Sequence, residues 1–153
     1  MENSPPLQER SPQTSTEWDR YFDLRWRVLR GPWNQPRGSE RDDLDPVSFH
    51  TALWDGDLPV AAGRLHLNSP SEAQVRYMAV DRSWQGKGLG SRILSRLEAQ
   101  ATQDGAACIV LNAREEASPF YRRHGYQETG SAGLLFASIP HFRMQKALRP
   151  MPE

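Results

Sequence analysis

Val75-Arg76-Tyr77-Met78-Ala79-Val80-Asp81-Arg82-Ser83-Trp84-Gln85-Gly86-Lys87-Gly88-Leu89-Gly90-Ser91 is the stretch that decides how this chain reads. Its first six residues are β-branched and aromatic enough to form a buried strand. Its last seven place glycines at 86, 88 and 90, just ahead of an amphipathic run that begins at Leu89. A strand, a glycine loop and a helix start make an anion site, because backbone N–H groups converge there and the helix dipole favours negative charge. A Cβ would block both the loop's backbone conformation and the approach of a phosphate. The expected guest is a pyrophosphate. The spacing is not Gly-x-x-x-x-Gly-Lys-Ser/Thr, which argues against a nucleoside triphosphate. Nor is it Gly-x-Gly-x-x-Gly with an acidic residue about 20 positions on, which argues against a dinucleotide.

Downstream, Leu89, Ile93, Leu94, Leu97 and Ala101 form one stripe of a helix that ends near Gly105. Ala107 to Leu111 is wholly apolar, as expected of a strand buried on both faces. Ala117 to His124 reads as a short helix stopped by Gly125, and Tyr126–Glu128 and Leu134–Met144 as the last strands. Upstream, Ser48–Trp54, Leu58–Leu67 and Glu72–Val80 form a meander, with Asp55-Gly56-Asp57 and Asn68-Ser69-Pro70-Ser71 as its turns. Thr14 and Glu17 have the spacing of a capping box. Trp18, Tyr21, Phe22, Leu24, Val28 and Leu29 then recur at helical spacing until Gly31-Pro32. Pro32 to Asp45 is a long polar connection with an acidic patch at Glu40, Asp42 and Asp43, read as a lid or a disordered segment. Residues 1–15, rich in proline, serine, glutamine and charge, are read as a disordered tail, and 16–149 as a single domain. The element order predicts an α/β (α+β) mixed sheet, mostly antiparallel, with helices on both faces.

Composition narrows the classes. At 153 residues the chain has room for one core. Lysine plus arginine equals aspartate plus glutamate at 19 each, so no nucleic-acid or membrane surface is expected. The one cysteine, Cys108, opens an apolar run and reads as buried filler in a reducing compartment. No stretch reads as a membrane span or a signal peptide, so a cytoplasmic protein is expected.

Gln85-Gly86-Lys87-Gly88-Leu89-Gly90 resembles the acyl-CoA loop of the Gcn5-related N-acetyltransferase (GNAT) superfamily, Gln/Arg-x-x-Gly-x-Gly/Ala. Met78-Ala79-Val80 ahead of it and Phe120-Tyr121-Arg122-Arg123-His124-Gly125-Tyr126 beyond it lie where that family has its counterparts. The resemblance runs from about Trp18 to Leu148. It implies acetyl-CoA as cosubstrate, no metal, and acetyl transfer to a primary amine by direct attack in a ternary complex. It implies that the loop strand and the next strand diverge, and that Met78, Ala79 and Val80 offer main chain to the pantetheine arm and the acetyl carbonyl. Gln85, Gly86, Lys87, Gly88, Leu89, Gly90 and Ser91 then meet the diphosphate. Arg92 is as readily a solvated helix-start residue. Phe120 lies beside the cofactor, and Asn112 takes the contact that many members make from an asparagine near Arg114.

Acetyl transfer needs a polarised thioester, a neutral amine, aligned reactants and a proton for the leaving thiolate. Tyr121 matches the family's tyrosine beside the sulfur and is the expected acid. The base is open: the family's glutamate position appears as Gln74, which takes no proton. Glu72 lies two residues earlier on the same strand face, and His66 has a suitable intrinsic pKa. His141, in Pro140-His141-Phe142, is placed at the substrate mouth. By the same resemblance Arg25, Trp26, Arg27, Trp33 and the acidic patch contact the acceptor. The arginines would suit a carboxylate and the patch a cationic amine, so a small molecule and a peptide both stay open. A homodimer is permitted. The competing reading is an inactive CoA-binding sensor or interaction module, for which Gln74 speaks.

Overall fold

Thr14 ends the extended N-terminal chain by accepting a hydrogen bond from the Glu17 N–H at 3.1 Å, and α1 (Ser15–Leu29) follows. The computed structural model describes residues 6–136 and 138–148. Seven strands hydrogen-bond in the order β1-β2-β3-β4-β5-β7-β6: β1 (Gln8–Arg10), β2 (Phe49–Asp55), β3 (Leu58–Ser69), β4 (Glu72–Val80), β5 (Cys108–Arg114), β6 (Gln127–Leu135) and β7 (Ile139–Ala147). Only β4 and β5 run parallel among the registered pairs, so the sheet is mixed, as expected. The chain divides into two compact units, Met1–Leu65 with Tyr77–Leu97, and His66–Arg76 with Glu98–Glu153.

In the first unit β2 pairs antiparallel with β1 and β3, closing through Asp55-Gly56-Asp57 with Gly56 at φ +62°. Tyr21 and Leu24 of α1 pack on Ala52, Trp54 and Ala62, with Trp18, Phe22 and Val28 around them. The next β3 residue, Gly63, points to the other face, where a Cβ would lie 2.6 Å from Ile93 Cγ2 and 2.9 Å from Leu97 Cδ1. That glycine lets the first turns of α2 (Leu89–Gln103) seat directly on the strand.

The expected tail fails for part of its length. Residues 1–5 lie outside the described residues, but Gln8–Arg10 is the edge strand β1, in register from Gln8↔Trp54 to Arg10↔Ala52. Arg10 forks onto Glu17 at 2.7 and 2.9 Å, stacks over the Trp54 ring, and accepts the Trp54 indole N–H on its carbonyl at 3.0 Å. Main-chain pairing and one ion pair hold the segment, neither of which an apolar pattern reports.

In the second unit β4 starts beside β5, from Glu72↔Cys108 to Gln74↔Val110, and β7 pairs with both β5 and β6. Tyr126 donates to Glu98 at 2.9 Å, and Lys146 reaches the same carboxylate at 3.1 Å. Strand β5 continues three residues past its expected end. The short helix α3 (Ser118–Arg123) begins after a 3-10 turn at Glu115–Ala117. Strand β6 is longer than expected because Gly130, Ser131, Ala132 and Gly133, outside either expected strand, sit in an exposed strand with two register shifts. Cys108 is half-buried and unbridged. No helix among the described residues is long and apolar enough to cross a membrane.

Candidate functional site

The glycine loop is built from its N-terminal side. Asp81 accepts from the Ser83 N–H at 3.0 Å and the Ser83 hydroxyl at 2.8 Å, which shapes a 3-10 turn at Arg82–Trp84. Burial pushes its carboxyl up, but Ser83 and Arg27 outweigh that and hold it below the usual carboxylate range. The Asp81 N–H donates to Val60 O at 2.9 Å, which fixes the end of β4 against β3. The Gln85 amide then returns to Val80 O at 3.3 Å and closes the turn on itself.

Gly86 and Gly88 follow at φ +79° and +78°, a region that side chains rarely adopt, with open space where a Cβ would lie. Gln85, Gly86, Lys87 and Gly88 are exposed, whereas Leu89 is buried and anchors the first turn of α2. The Arg92 N–H makes the first helical bond, to Gly88 O at 3.2 Å. The amides of Gly86, Lys87, Gly88, Leu89 and Gly90 donate to no acceptor among the described residues, as the orphan donors of a helix start do. Lys87 lies over the Trp84 ring at 5.5 Å, its charge beside the cradle. Ser91 and Arg92 line an open groove of about 420 Å³ with Glu9, Ser95 and Arg96.

Met78, Ala79 and Val80 close β4 beyond the last residue registered with β5. Tyr77 before them stands at φ +58° inside a strand, a conformation that costs a non-glycine residue about 1–2 kcal/mol. Its ring is 6% exposed and lies over the guanidinium of Arg25 at 4.3 Å and that of Arg64 at 4.9 Å.

In the second unit, the Tyr121 ring packs edge-on against Phe120 at 5.1 Å and Tyr126 at 5.8 Å. It is 8% exposed, and its hydroxyl makes no hydrogen bond among the described residues. Burial pushes this phenol well above its ordinary pKa, with Arg114 pulling the other way, so it holds its proton at neutral pH. Phe120 is half-buried, and Asn112 is exposed on β5 opposite Arg143.

The two base candidates share one amide. His66 Nε2 faces Asn68 Oδ1 at 3.0 Å, and Asn68 Nδ2 donates to Glu72 at 2.9 Å and to Gln74 at 3.0 Å. Arg143 stands 3.8 Å from the other Glu72 oxygen. His66 is buried and Glu72 half-buried. His141 is half-buried on β7, its Nδ1 donating to Ile139 O at 3.0 Å.

The acceptor side needs correcting. Arg25 is fully buried, so it contacts no substrate. It donates to Glu40 O at 3.2 Å, Asp45 at 3.0 Å, the Tyr21 hydroxyl at 3.2 Å and His50 Nδ1 at 3.1 Å. The acidic patch is largely spent internally. Asp42 takes Arg64 at 2.6 Å and the Leu44 N–H at 2.9 Å, while Glu40 is buried on the Gly38 N–H and Arg41. Asp43 alone of the three remains exposed. The 32–45 connection is thus bound down by ion pairs rather than left loose. Trp26 is half-buried, donates to Gln35 O at 3.0 Å and stacks with Arg37 at 4.0 Å. Trp33 is half-buried in the 3-10 turn Gly31–Trp33. Sequence reasoning passed over Arg64, Asp45 and His50. The available signal was Arg64, a charge inside the apolar run Val60–Leu65.

Among the described residues no group of three or more histidine, cysteine, aspartate and glutamate side chains is placed to hold a metal ion. Residues 37–148 match the model of the acetyltransferase (GNAT) domain family. An uncharacterised N-acetyltransferase of Bacillus subtilis, YjcF, is 35% identical over 82% of this chain and 89% of its own length. Among solved structures, a putative N-acetyltransferase from Lactobacillus plantarum superposes with a TM-score of 0.82 at 21% identity, covering 95% of this chain and 100% of that one. An aminoglycoside 6'-N-acetyltransferase complexed with coenzyme A gives 0.79 at 18% identity, covering 96% and 99%. At these identities the structural likenesses are likenesses of fold.

Proposed function

Since the chain belongs to the GNAT acetyltransferase domain family, we propose that residues 85–90 hold the diphosphate of acetyl-CoA while a primary amine attacks its thioester directly. The family makes it an N-acetyltransferase. The observation that carries the cosubstrate is the loop: two left-handed glycines with empty space at their Cβ positions, and five amides without an internal acceptor at a helix start. This donor set fits a diphosphate, and a methyl group at Gly86 or Gly88 would fill the space the phosphates need. Lys87 adds charge, and Ser91 a hydroxyl donor.

Bound acetyl-CoA supplies an acyl group already activated as a thioester. The chain's own residues do the rest. The Met78 main chain polarises the acetyl carbonyl, and the main chain of Ala79 and Val80 receives the pantetheine amides. Asn112 and Phe120 give further contacts to the cosubstrate. Tyr121, protonated and with no internal partner for its hydroxyl, gives its proton to the departing thiolate. His66 or Glu72, both bound to Asn68, takes the proton of the amine. Trp26, Trp33 and His141 border the acceptor. The domain that does this takes in the edge strand Gln8–Arg10 together with 16–149, a reading supported by the family match over 37–148.

The test is a thiol-release assay with acetyl-CoA over polyamines, amino acids, aminoglycosides and peptides. Release dependent on one amine class supports the enzyme. A chain that binds CoA yet consumes acetyl-CoA with no member of the panel is a CoA-binding module instead.

A further inference from the structure

Tyr77 is a large aromatic in the left-handed region at the point where β4 leaves its regular course, one residue before Met78. Such a residue turns the following peptide out of the ladder direction, so the conformation of Tyr77 decides where the Met78 N–H points. Nothing local favours it, since glycine is the residue that adopts this φ freely. What holds it is tertiary. Arg25 and Arg64, both with no exposed surface, lie at 4.3 and 4.9 Å from the ring centre, at cation–π distance. Each arginine is tethered by the same carboxylate oxygen, Asp45 Oδ1, at 3.0 and 2.9 Å. Asp42 adds a 2.6 Å contact to Arg64 and accepts from the Tyr77 hydroxyl at 3.4 Å. Two aspartates from the 32–45 connection thereby fix two arginines, one from α1 and one from β3, against one ring on β4.

We infer that this buried cluster is a positioning device: it holds Tyr77 in its left-handed turn and so aims the Met78 amide at the acetyl carbonyl. The inference rests on the reading of Met78 given under Proposed function. It assigns Tyr77, Arg25, Arg64, Asp42 and Asp45 to the acyl-transfer step through the main chain, none of them touching the cosubstrate. It also gives the bound-down connection a role: a fixed strap rather than a lid.

The experiment needs no knowledge of the acceptor. Acetyl-CoA labelled with carbon-13 at the thioester carbonyl is bound to the full chain, and the carbonyl stretch is read by isotope-edited infrared difference spectroscopy. A hydrogen bond to the carbonyl lowers its frequency, so the wild-type protein gives a downshift relative to free acetyl-CoA. Tyr77→Leu removes the ring that the arginines lie against. It returns more than half of the shift, while the Kd for CoA changes by less than about threefold, because the diphosphate contacts are untouched. Tyr77→Phe keeps the ring and keeps the shift. Asp42→Asn is the second loosening variant, in case Tyr77→Leu does not fold, and it too returns more than half. A folded loosening variant that binds acetyl-CoA with the wild-type frequency overturns the inference, as does loss of the shift in Tyr77→Phe. A wild-type chain that binds without any downshift removes the Met78 reading and this inference with it. A wild-type chain that does not bind acetyl-CoA fails at the earlier step.

Discussion

Replacing Gly88 by alanine adds one methyl group, and the structure separates its two consequences. Gly88 stands at φ +78° with nothing within 4 Å of the position a Cβ would take. In the free protein the variant therefore meets no clash, only the strain of a side chain in the left-handed region, about 1–2 kcal/mol. In a chain of this size each kcal/mol lowers the Tm by about 2–4 °C, so a loss of about 2–8 °C is expected. Gly56 is the built-in control: φ +62°, an equally open Cβ position, in the β2–β3 hairpin turn. Gly56→Ala should cost about the same stability. The two diverge when CoA is added. A methyl group at 88 occupies the cradle and displaces a phosphate from at least one amide. A hydrogen bond to a charged group contributes about 1.5–3 kcal/mol, so affinity falls by about 10- to 150-fold. Gly56→Ala should keep the wild-type Kd. Differential scanning calorimetry reads the first effect and isothermal titration with CoA the second. Equal CoA affinity in the two variants would refute the reasoning, because strain alone would then account for both.

Three further outcomes follow from the same geometry. Tyr121→Phe should keep its affinity for acetyl-CoA but lose about 10²-fold or more in kcat, the contribution usual for general acid catalysis, in the thiol-release assay with whichever amine is found; unchanged kcat would remove Tyr121 from the chemistry. Gly63→Ala puts a Cβ at 2.6 Å from Ile93 Cγ2 and 2.9 Å from both Leu97 Cδ1 and Met78 Sδ. Overpacking of this kind costs about 1–3 kcal/mol, to be read as a shifted urea midpoint with an unchanged m-value. His50 is held below its ordinary pKa, by burial first and by the Arg25 charge as well, against the pull of the Asp45 carbonyl. The unfolded chain then binds the proton more readily. The stability that His50 contributes is complete above its unfolded pKa of about 6.5 and is lost as pH falls from there toward the folded value. The Tm of the wild type should therefore drop more steeply between pH 7 and pH 5 than that of His50→Gln, each referred to its own value at pH 8.

The parts of this molecule that were legible beforehand are those written in local pattern. The Gly86–Gly90 spacing, the Leu89–Ala101 stripe, the Asp55-Gly56-Asp57 turn and the Thr14 cap each declare themselves within a few residues, and each is where it was expected. What stayed hidden depends on partners far along the chain. Arg25 reads as an acceptor contact because nothing near it reveals that Asp45, His50 and Glu40 will close over it. The acidic patch reads as available charge until Arg64, 22 residues beyond Asp42, takes it up. Strand β1 is three polar residues held by main-chain pairing. Strand β6 is exposed over all but its last residue, so no alternation marks it. Tyr77 looked like an ordinary strand aromatic, and its backbone conformation is visible only once the guanidiniums of Arg25 and Arg64 are in place at its ring.

The claim beneath all of this is that a thioester carrier docks through its diphosphate on the main chain of residues 85–90. A crystal structure of the chain with coenzyme A tests it most directly. The account predicts diphosphate oxygens within hydrogen-bond distance, about 2.7–3.2 Å, of the amides around Gly86 to Gly90, with the pantetheine arm along Met78–Val80. Coenzyme A bound with its diphosphate elsewhere, or a loop that moves away to admit it, would contradict the account.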